Sequence, residues 1–244
     1  MSEDLIVYWS PVYNPSEANW NILYDDFESL YQNKVSDINK NNKKSMFACP
    51  SFTNLSKNTL LAINPLKSHY GFSNLDMDRV TINNKIDGGL LGEILHDRSA
   101  NNRIVLQYAL KYVFFTEEDS LKVTITSPYF NKSNHLKYGG LVPGEFDIGK
   151  WFRSLNFAYE LWDGVDEFVI EKEEVAGYIQ FHTDRKVVLK RFKINPELLS
   201  ILYTTGTSSS WMPRVGLPER YDKFKKSRTK DIVLREIKNN LIDN

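Results

Sequence analysis

Apolar and polar side chains alternate through one short segment after another between residues 103 and 194. Residues 121–126 and 155–162 carry an apolar or aromatic side chain at every second position. Successive side chains of a β-strand point to opposite faces of its sheet, so this pattern predicts strands with one buried face. The sequence therefore predicts a β-rich core over about 103–194.

Further strands are predicted where aliphatic and aromatic residues cluster between turn residues. The dipeptide Thr183-Asp184 lies between the last two of these segments, and it predicts a hairpin turn that joins them. The predicted strands are 5–9, 45–49, 59–63, 104–115, 167–171, 175–182 and 186–194.

The first hundred residues carry weaker signals. Apolar residues three and four positions apart over 20–31 predict a short helix, and the Asn- and Lys-rich residues 33–44 predict an exposed loop. Residues 67–102 contain repeated Asn and Gly turn signals. A short helix around 89–96 is one interpretation of that segment.

After residue 194 the pattern becomes helical. Asn195 predicts a helix cap, with Pro196 at the first position of a short helix that ends at Tyr203. A final helix is predicted over 218–241, with an apolar stripe of Leu234, Ile237 and Leu241.

The predicted fold class is α+β and mainly antiparallel β, with a β-sandwich or β-clip-like core. A short N-terminal helix and a C-terminal helix accompany this core. We expect one domain over 1–244, with the β-rich core at about 103–194 and a C-terminal helical appendage at about 196–244.

Composition and charge narrow the class of protein. Hydrophobic residues make up 41% and aromatic residues 13% of the chain, which excludes an intrinsically disordered protein. Lys plus Arg and Asp plus Glu both total 31, so no chain-wide field attracts nucleic acid.

The single cysteine, Cys49, excludes an intrachain disulfide, and its Ala-Cys-Pro context predicts a small buried apolar residue. The acidic start of the chain has no apolar signal-peptide segment, and no apolar run reaches the ~20 residues that span a bilayer. We therefore expect a cytoplasmic location, in a host cytoplasm or a virion.

The sequence contains few of the motifs that identify common classes of enzyme. No Gly-x-Ser-x-Gly elbow and no Walker-type phosphate loop occurs in the sequence. His182 and Asp184 have the His-x-Asp spacing that supplies two ligands of a non-haem iron site. No histidine follows His182, and Asp184 suits a turn, so we favour the turn interpretation over the metal.

Residues 138–181 are the most informative stretch. Glycines at 139, 140, 144 and 149 lead into a strand, which is followed by a second strand, the charged turn at 171–174 and a third strand. This order resembles the β-clip fold of dUTPases and dCTP deaminases. The Arg-Ser-Gly phosphate motif of those families is absent, because residues 126–129 read Thr-Ser-Pro-Tyr.

The resemblance implies a nucleotide site that forms between the subunits of a trimer, with Mg²⁺ as the cofactor. Asp147 would be the catalytic general base, and Lys172–Ala176 would match the later turn of the family. Thr204–Ser210 would match the arm that covers the phosphates, and Arg214 beside it could also cradle a phosphate. A flexible connector is the alternative interpretation of this loop. The implied substrate-binding residues are Phe146, Thr207, Ser208, Ser209, Ser210 and Arg214.

A second resemblance rests on three short sequence segments. Phe-Phe-Thr-Glu-Glu-Asp-Ser-Leu at 114–121, Val-Pro-Gly-Glu-Phe-Asp at 142–147 and Lys-Trp-Phe-Arg at 150–153 resemble uncharacterised proteins of tailed phages. The 22 Asn residues fit an AT-rich genome of that kind. This resemblance implies a bacteriophage source and no particular activity.

The final helix is basic, with nine Lys or Arg against four Asp or Glu over 214–238. Its cations could pair with phosphates or with an acidic protein, and a solvated helix face is the third interpretation. The residues concerned are Lys223, Lys225, Lys226, Arg228, Lys230 and Arg235.

Our first hypothesis is a non-catalytic binding or structural interaction protein that is phage-encoded and needs no cofactor. Its partner would be another protein or a homo-oligomer, and neither nucleic acid nor a membrane is expected. The alternative is a nucleotide-processing enzyme of the dUTPase or dCTP deaminase type, and the third hypothesis is a non-haem iron oxygenase.

Overall fold

The computed structural model describes residues 4–12, 24–38, 46–73, 81–86, 91–94, 103–206 and 217–242. Strands hold 41% and helices 26% of the residues, and the sheets are mainly antiparallel. The predicted α+β class, with a C-terminal helical part, is confirmed. Within the described ranges, no helix has the length and apolar character needed to cross a membrane.

The described residues contain thirteen strands and five α-helices, numbered in chain order. The strands are β1 Leu5–Pro11, β2 Thr59–Ile63, β3 Ser68–Ser73, β4 Thr81–Ile86, β5 Leu91–Ile94, β6 Val105–Phe115, β7 Lys122–Thr126, β8 Gly139–Val142, β9 Gly144–Asp147, β10 Ser154–Leu161, β11 Glu167–Ile170, β12 Val175–Phe181 and β13 Val187–Arg191. The helices are α1 Leu30–Ile38, α2 Pro50–Ser56, α3 Pro196–Gly206, α4 Leu217–Lys226 and α5 Thr229–Asn239.

The strands form three sheets. A six-stranded sheet has the order β13-β1-β6-β10-β8, and β5 pairs with β6 beside this path. A four-stranded sheet has the order β2-β12-β7-β9, and a three-stranded sheet has the order β11-β3-β4. Neighbouring strands are antiparallel except β1 and β13, which run parallel.

The main core lies between the six-stranded sheet and the two smaller sheets. Alternate residues of β6 from Leu106 to Phe114 enter this core, where they meet Ile125 and Ile179 of the four-stranded sheet and Phe168 of the three-stranded sheet. This is the packing of a β-sandwich, in which two inner faces share one apolar layer.

Helices cover the outer faces of two sheets. Val113 and Phe115 point away from the main core, into a second cluster with Leu198 of α3, Phe224 of α4 and Val233 of α5. On the other side of the molecule, a third cluster joins five residues of α1, α2 and the four-stranded sheet: Leu30, Phe52, Leu61, Val175 and Tyr178. Two layers of strands therefore lie between two layers of helices.

The predicted helix over 20–31 is wrong for residues 24–29, whereas residues 30 and 31 are helical and residues 20–23 lie outside the described residues. Residues 24–28 are irregular, because Tyr24 and Phe27 pack into the main core and the Tyr24 hydroxyl donates to the Leu110 carbonyl at 3.1 Å. Helix α1 begins at Leu30 and occupies 30–38, which corrects part of the predicted loop. The Ser29 hydroxyl caps this helix by accepting from the Gln32 N–H at 3.1 Å.

Two further predictions in this half are wrong. Residues 45–49 form no strand where they are described, because Met46–Ala48 is a single 3-10 turn and Pro50 begins α2. Cys49 precedes that helix and is exposed rather than buried. The helix suggested around 89–96 is also wrong for residues 91–94, which form β5 against β6.

Four more strands form where the sequence predicted none. β3 and β4 lie in the segment with repeated turn signals, and β8 and β9 flank Pro143. Each of the latter two has only four residues, so neither is long enough to show a clear alternation.

The predicted hairpin at Thr183-Asp184 is wrong, because β12 and β13 belong to different sheets. Asn58 holds the connection between them. Its side-chain amide donates to the carbonyls of Thr183 at 3.0 Å and Arg185 at 2.8 Å, and its oxygen accepts from the Val187 N–H at 3.1 Å. Asn58 has a φ of 53°, a left-handed conformation that Asn tolerates better than most residues.

The predictions for the C-terminal part are largely confirmed. The Asn195 side chain accepts from the Leu198 N–H at 2.8 Å, as a helix cap does. Helix α3 continues three residues beyond Tyr203, to Gly206. The single predicted final helix consists of α4 and α5, which are separated at Ser227 and Arg228.

We expect Asn58→Ala to lower the free energy of unfolding by about 2–4 kcal/mol, because it removes three hydrogen bonds and because Ala lacks the polar side chain that lets Asn tolerate a left-handed conformation. Asn58→Gly removes the same hydrogen bonds but accepts the conformation, so its loss should be smaller. Urea unfolding of both variants measures the difference. A loss below about 0.5 kcal/mol in both would contradict the role of Asn58 in holding this connection.

Candidate functional site

Asp147, the implied general base, lies at the end of β9 and is surrounded by donors. One carboxylate oxygen accepts from the N–H groups of Leu121 and Gly149, each at 3.1 Å. The other accepts from the Ser120 hydroxyl at 2.5 Å and pairs with the Lys150 ammonium at 2.7 Å. The carboxylate therefore joins the turn after β9 to the segment that precedes β7.

The electrostatics of Asp147 match this structural role. Burial raises its pKa, but the hydrogen bonds from Lys150, Ser120 and Leu121 outweigh burial, so the pKa is lowered overall. A general base works best with a pKa near the working pH and with a lone pair directed at its substrate. Here four donors already occupy both oxygens. The assignment of Asp147 as a general base stays a prediction.

Among the described residues, those implied by the β-clip resemblance do not gather around Asp147. Phe146 packs against the main core, and consecutive side chains of a strand point to opposite faces. Thr207–Ser210 and Arg214 lie outside the described residues. Thr204 belongs to α3, where its hydroxyl donates to the Ser200 carbonyl at 2.8 Å.

His182 and Asp184 have different partners and do not form a pair. His182 Nε2 shares a hydrogen bond of 2.5 Å with the Thr124 hydroxyl, whereas the Asp184 side chain is fully exposed and lies 3.8 Å from the Lys57 ammonium. Across the described ranges, no group of three or more His, Cys, Asp or Glu side chains is placed to hold a metal ion.

The later turn, Lys172–Ala176, contributes Glu174 to a buried histidine–carboxylate contact that no sequence pattern indicated. One Glu174 oxygen accepts from both the Nδ1 and the backbone N–H of His135, each at 2.9 Å, and the other accepts from the Glu171 N–H at 3.0 Å. A carboxylate can only accept, so the proton of this bond resides on Nδ1. The imidazole is fully buried beside the rings of Tyr159 and Phe168.

Two cavities deserve comparison with a nucleotide. A cleft of about 130 Å³ has a floor of Tyr24, Phe27 and Tyr112 and is well below the ~300 Å³ at which ligand pockets begin. A groove of about 520 Å³ is larger, but three carboxylates, those of Asp4, Glu117 and Glu118, line it against two cations, and one of these cations, Arg185, is paired with Glu118 at 2.7 Å. Carboxylates repel phosphate groups, so neither cavity favours a nucleotide.

A surface near one edge of the six-stranded sheet exposes large apolar side chains. We call it the Trp162 surface, and its members are Arg103, Gly140, Val142, Trp162 and Asp163. Trp162 is 41% exposed and Val142 is 43% exposed. Gly140 and Val142 lie two residues apart on β8, so they share one face of that strand.

The indole of Trp162 is held on several sides. Its N–H donates to the Leu136 carbonyl at 3.1 Å, and the Arg103 guanidinium lies 5.4 Å from its ring centroid. The ring also lies over Gly140, where an added β-carbon would come within 3.0 Å of it. Arg103 is itself fixed by Asp163, whose two oxygens accept from its Nε at 3.1 Å and its Nη2 at 3.4 Å.

No protein-family model, no curated protein and no solved structure matches this chain. The resemblances to the β-clip fold and to tailed-phage proteins therefore stay predictions. The Trp162 surface depends on Gly140, Arg103 and Leu136, which are distant in sequence. The exposed tryptophan after a strand was visible in the sequence, but nothing local indicated its fixed geometry.

We expect Glu174→Gln to lower the free energy of unfolding at pH 7 by about 1–3 kcal/mol, because its carboxylate accepts three N–H groups. Burial raises the pKa of Glu174, but the bonds from His135 and Glu171 lower it overall. The stabilisation is therefore present above the unfolded-state pKa of about 4.3 and is lost as the pH falls through the lower folded-state pKa. The wild-type and variant curves should converge in that acidic range.

Chemical unfolding at pH values from 7 downward measures this convergence. Glu173→Gln is the matched control, since the neighbouring carboxylate is 77% exposed and pairs with the exposed Lys172. That control should change stability by less than about 0.5 kcal/mol. A constant difference between wild type and Glu174→Gln at all pH values would contradict the role of the carboxylate.

We expect no turnover of dUTP or of any common deoxynucleoside triphosphate by the wild-type protein with Mg²⁺, measured as pyrophosphate or ammonia release. Asp147→Ala should instead lose about 1–3 kcal/mol of stability, because it leaves the donors around the carboxylate without a partner. Glu145→Ala, on the exposed face of the same strand, should cost less. Wild-type turnover that disappears in Asp147→Ala would reverse this interpretation and support the enzyme.

Proposed function

We propose that this chain is a non-catalytic interaction protein that binds another protein through the Trp162 surface. The observation that carries the proposal is a tryptophan that is half-exposed and yet fixed by a hydrogen bond, an arginine and a glycine. Exposed aromatic side chains are ordinarily free to change rotamer. This one is already ordered before any partner arrives.

Fixed aromatic residues are favourable anchors for binding. Tryptophan and arginine are enriched among the residues that carry most of the energy of protein interfaces. Ordering a flexible side chain at an interface costs about 0.5–1.5 kcal/mol. Because the Trp162 indole is ordered in the free protein, a partner that covers it avoids most of that cost.

The polar candidates support a non-catalytic role. Asp147 binds four donors of its own chain, and His182 binds Thr124. Glu174 and His135 are paired with each other inside the protein. These groups stabilise turns and strand connections. Such a structural role is what we expect of polar residues in a non-catalytic binding protein. The resemblance of short sequence segments to tailed-phage proteins supports a role in a virion or on a host target.

The proposal predicts where binding peptides converge. Selection of a displayed random peptide library on the immobilised protein should enrich peptides that lose at least about tenfold in affinity for Trp162→Ala. Tyr129→Ala is the matched control, because Tyr129 is an exposed aromatic residue, at 56%, on another surface.

Both variants must keep the circular dichroism and the unfolding midpoint of a folded protein. Val142→Glu then serves as a second change at the same surface that leaves the indole in place. Enriched peptides that bind wild type, Trp162→Ala and Val142→Glu equally would overturn the proposal.

A further inference from the structure

We infer that Glu174 is a positioning residue for the Trp162 surface, and that it acts on the indole through His135 and the turn that contains it. This inference rests on the proposed function and adds the contact that keeps its anchor ordered. The 3-10 turn Asn134–Lys137 connects the two residues, because His135 binds the Glu174 carboxylate and the next residue, Leu136, binds the indole.

The indole depends on this turn for its hydrogen bond. Trp162 Nε1 donates to the Leu136 carbonyl at 3.1 Å. The backbone N–H of Trp162 donates to the Tyr138 carbonyl at 2.9 Å, so the residue that follows β10 is attached to the turn at two points. A hydrogen bond weakens steeply as its acceptor moves out of line. A shift of the turn therefore releases the indole.

The turn has little stability of its own. It is only four residues long, and the hydrogen bonds of a 3-10 helix have poorer geometry than those of an α-helix. Forming a single helical turn costs more conformational entropy than its own hydrogen bonds return. The position of the Leu136 carbonyl is therefore set by the contacts that this turn makes with the rest of the protein.

His135 is the buried residue of the turn. Its Nδ1 and its backbone N–H both donate to one Glu174 oxygen, each at 2.9 Å. Its Nε2 has no hydrogen-bond partner in the part of the chain that the structure describes, so the Nδ1 bond orients the ring beside Tyr159 and Phe168. The carboxylate thus fixes both the backbone and the side chain of the residue that precedes Leu136.

Two further contacts hold the ends of this segment. The Ser133 hydroxyl donates to the Val175 carbonyl at 2.8 Å, and the Tyr138 hydroxyl donates to the Glu167 carboxylate at 2.9 Å. The Glu167 side chain is 44% exposed, so water competes for the second bond. The bonds to Glu174 act instead at the buried middle of the segment, directly before the carbonyl that accepts from the indole.

The indole N–H resonance of Trp162, assigned by its loss in Trp162→Phe, reports this positioning by NMR. Glu174→Gln has one acceptor oxygen for the three N–H groups that the carboxylate binds, so the resonance should move and its order parameter should fall. Peptides that require Trp162 should bind this variant roughly two- to tenfold more weakly, because they must then order the indole themselves. His135→Phe, which keeps a ring in the site, should change the resonance in the same way.

Two controls separate positioning from a general loss of stability. Glu173→Gln changes the exposed neighbouring carboxylate, and Asn58→Ala weakens the connection between β12 and β13. Both should leave the indole resonance and the peptide affinity unchanged under conditions in which the protein is folded. If Asn58→Ala reproduces the changes seen in Glu174→Gln, general destabilisation explains them and the inference is wrong.

The outcomes distinguish this inference from the proposed function. An unchanged indole resonance in His135→Phe and in folded Glu174→Gln overturns the inference, and peptides that still require Trp162 would then support the proposed function alone. A resonance that moves in these variants, together with peptides that ignore Trp162, overturns the proposed function and supports positioning by Glu174. If Glu174→Gln does not fold, the result with His135→Phe decides.

Discussion

The structure depends on burying both faces of its six-stranded sheet. Alternate residues of β6 enter the main core, and Val113 and Phe115 enter the cluster beneath α3, α4 and α5. A sheet that is apolar on both sides has to be covered on both sides. The two smaller sheets cover one face, and the C-terminal helices cover part of the other. The half-exposed Trp162 follows β10 and lies over Gly140 of β8, the strand at the opposite edge of that sheet.

The sequence predicted strands best where one face is buried and the other is open. β7 and β10 alternate clearly, and both were recognised within one residue of their bounds. The helix prediction over 20–31 failed because Tyr24 and Phe27 have helical spacing but pack as an irregular segment against the core. The hairpin prediction failed for a related reason. A local turn signal indicates where a chain bends, whereas pairing with β1 decided which strand β13 would join.

The candidate residues depended even more on contacts between distant parts of the chain. Asp147 was predicted as a general base, and its surroundings come from Ser120 and Leu121, which precede it by 27 and 26 positions. Glu174 lies 39 positions from His135. Neither partner can be inferred from spacing, because the fold brings them together. Residue type indicated that these side chains were polar and titratable, and only the structure showed that they hold turns in place.

The parallel pairing of β1 with β13 has a consequence for how the chain is made. Leu5 lies opposite Val187, and β1 is an inner strand whose other neighbour is β6. Strand β1 therefore precedes both of its neighbours in the chain, and it lacks β13 until residues well beyond the middle of the chain have emerged. Pairings between such distant segments form slowly, because a long loop must close first. During synthesis, β1 is an exposed apolar segment, and chaperones that bind such segments have their longest opportunity there.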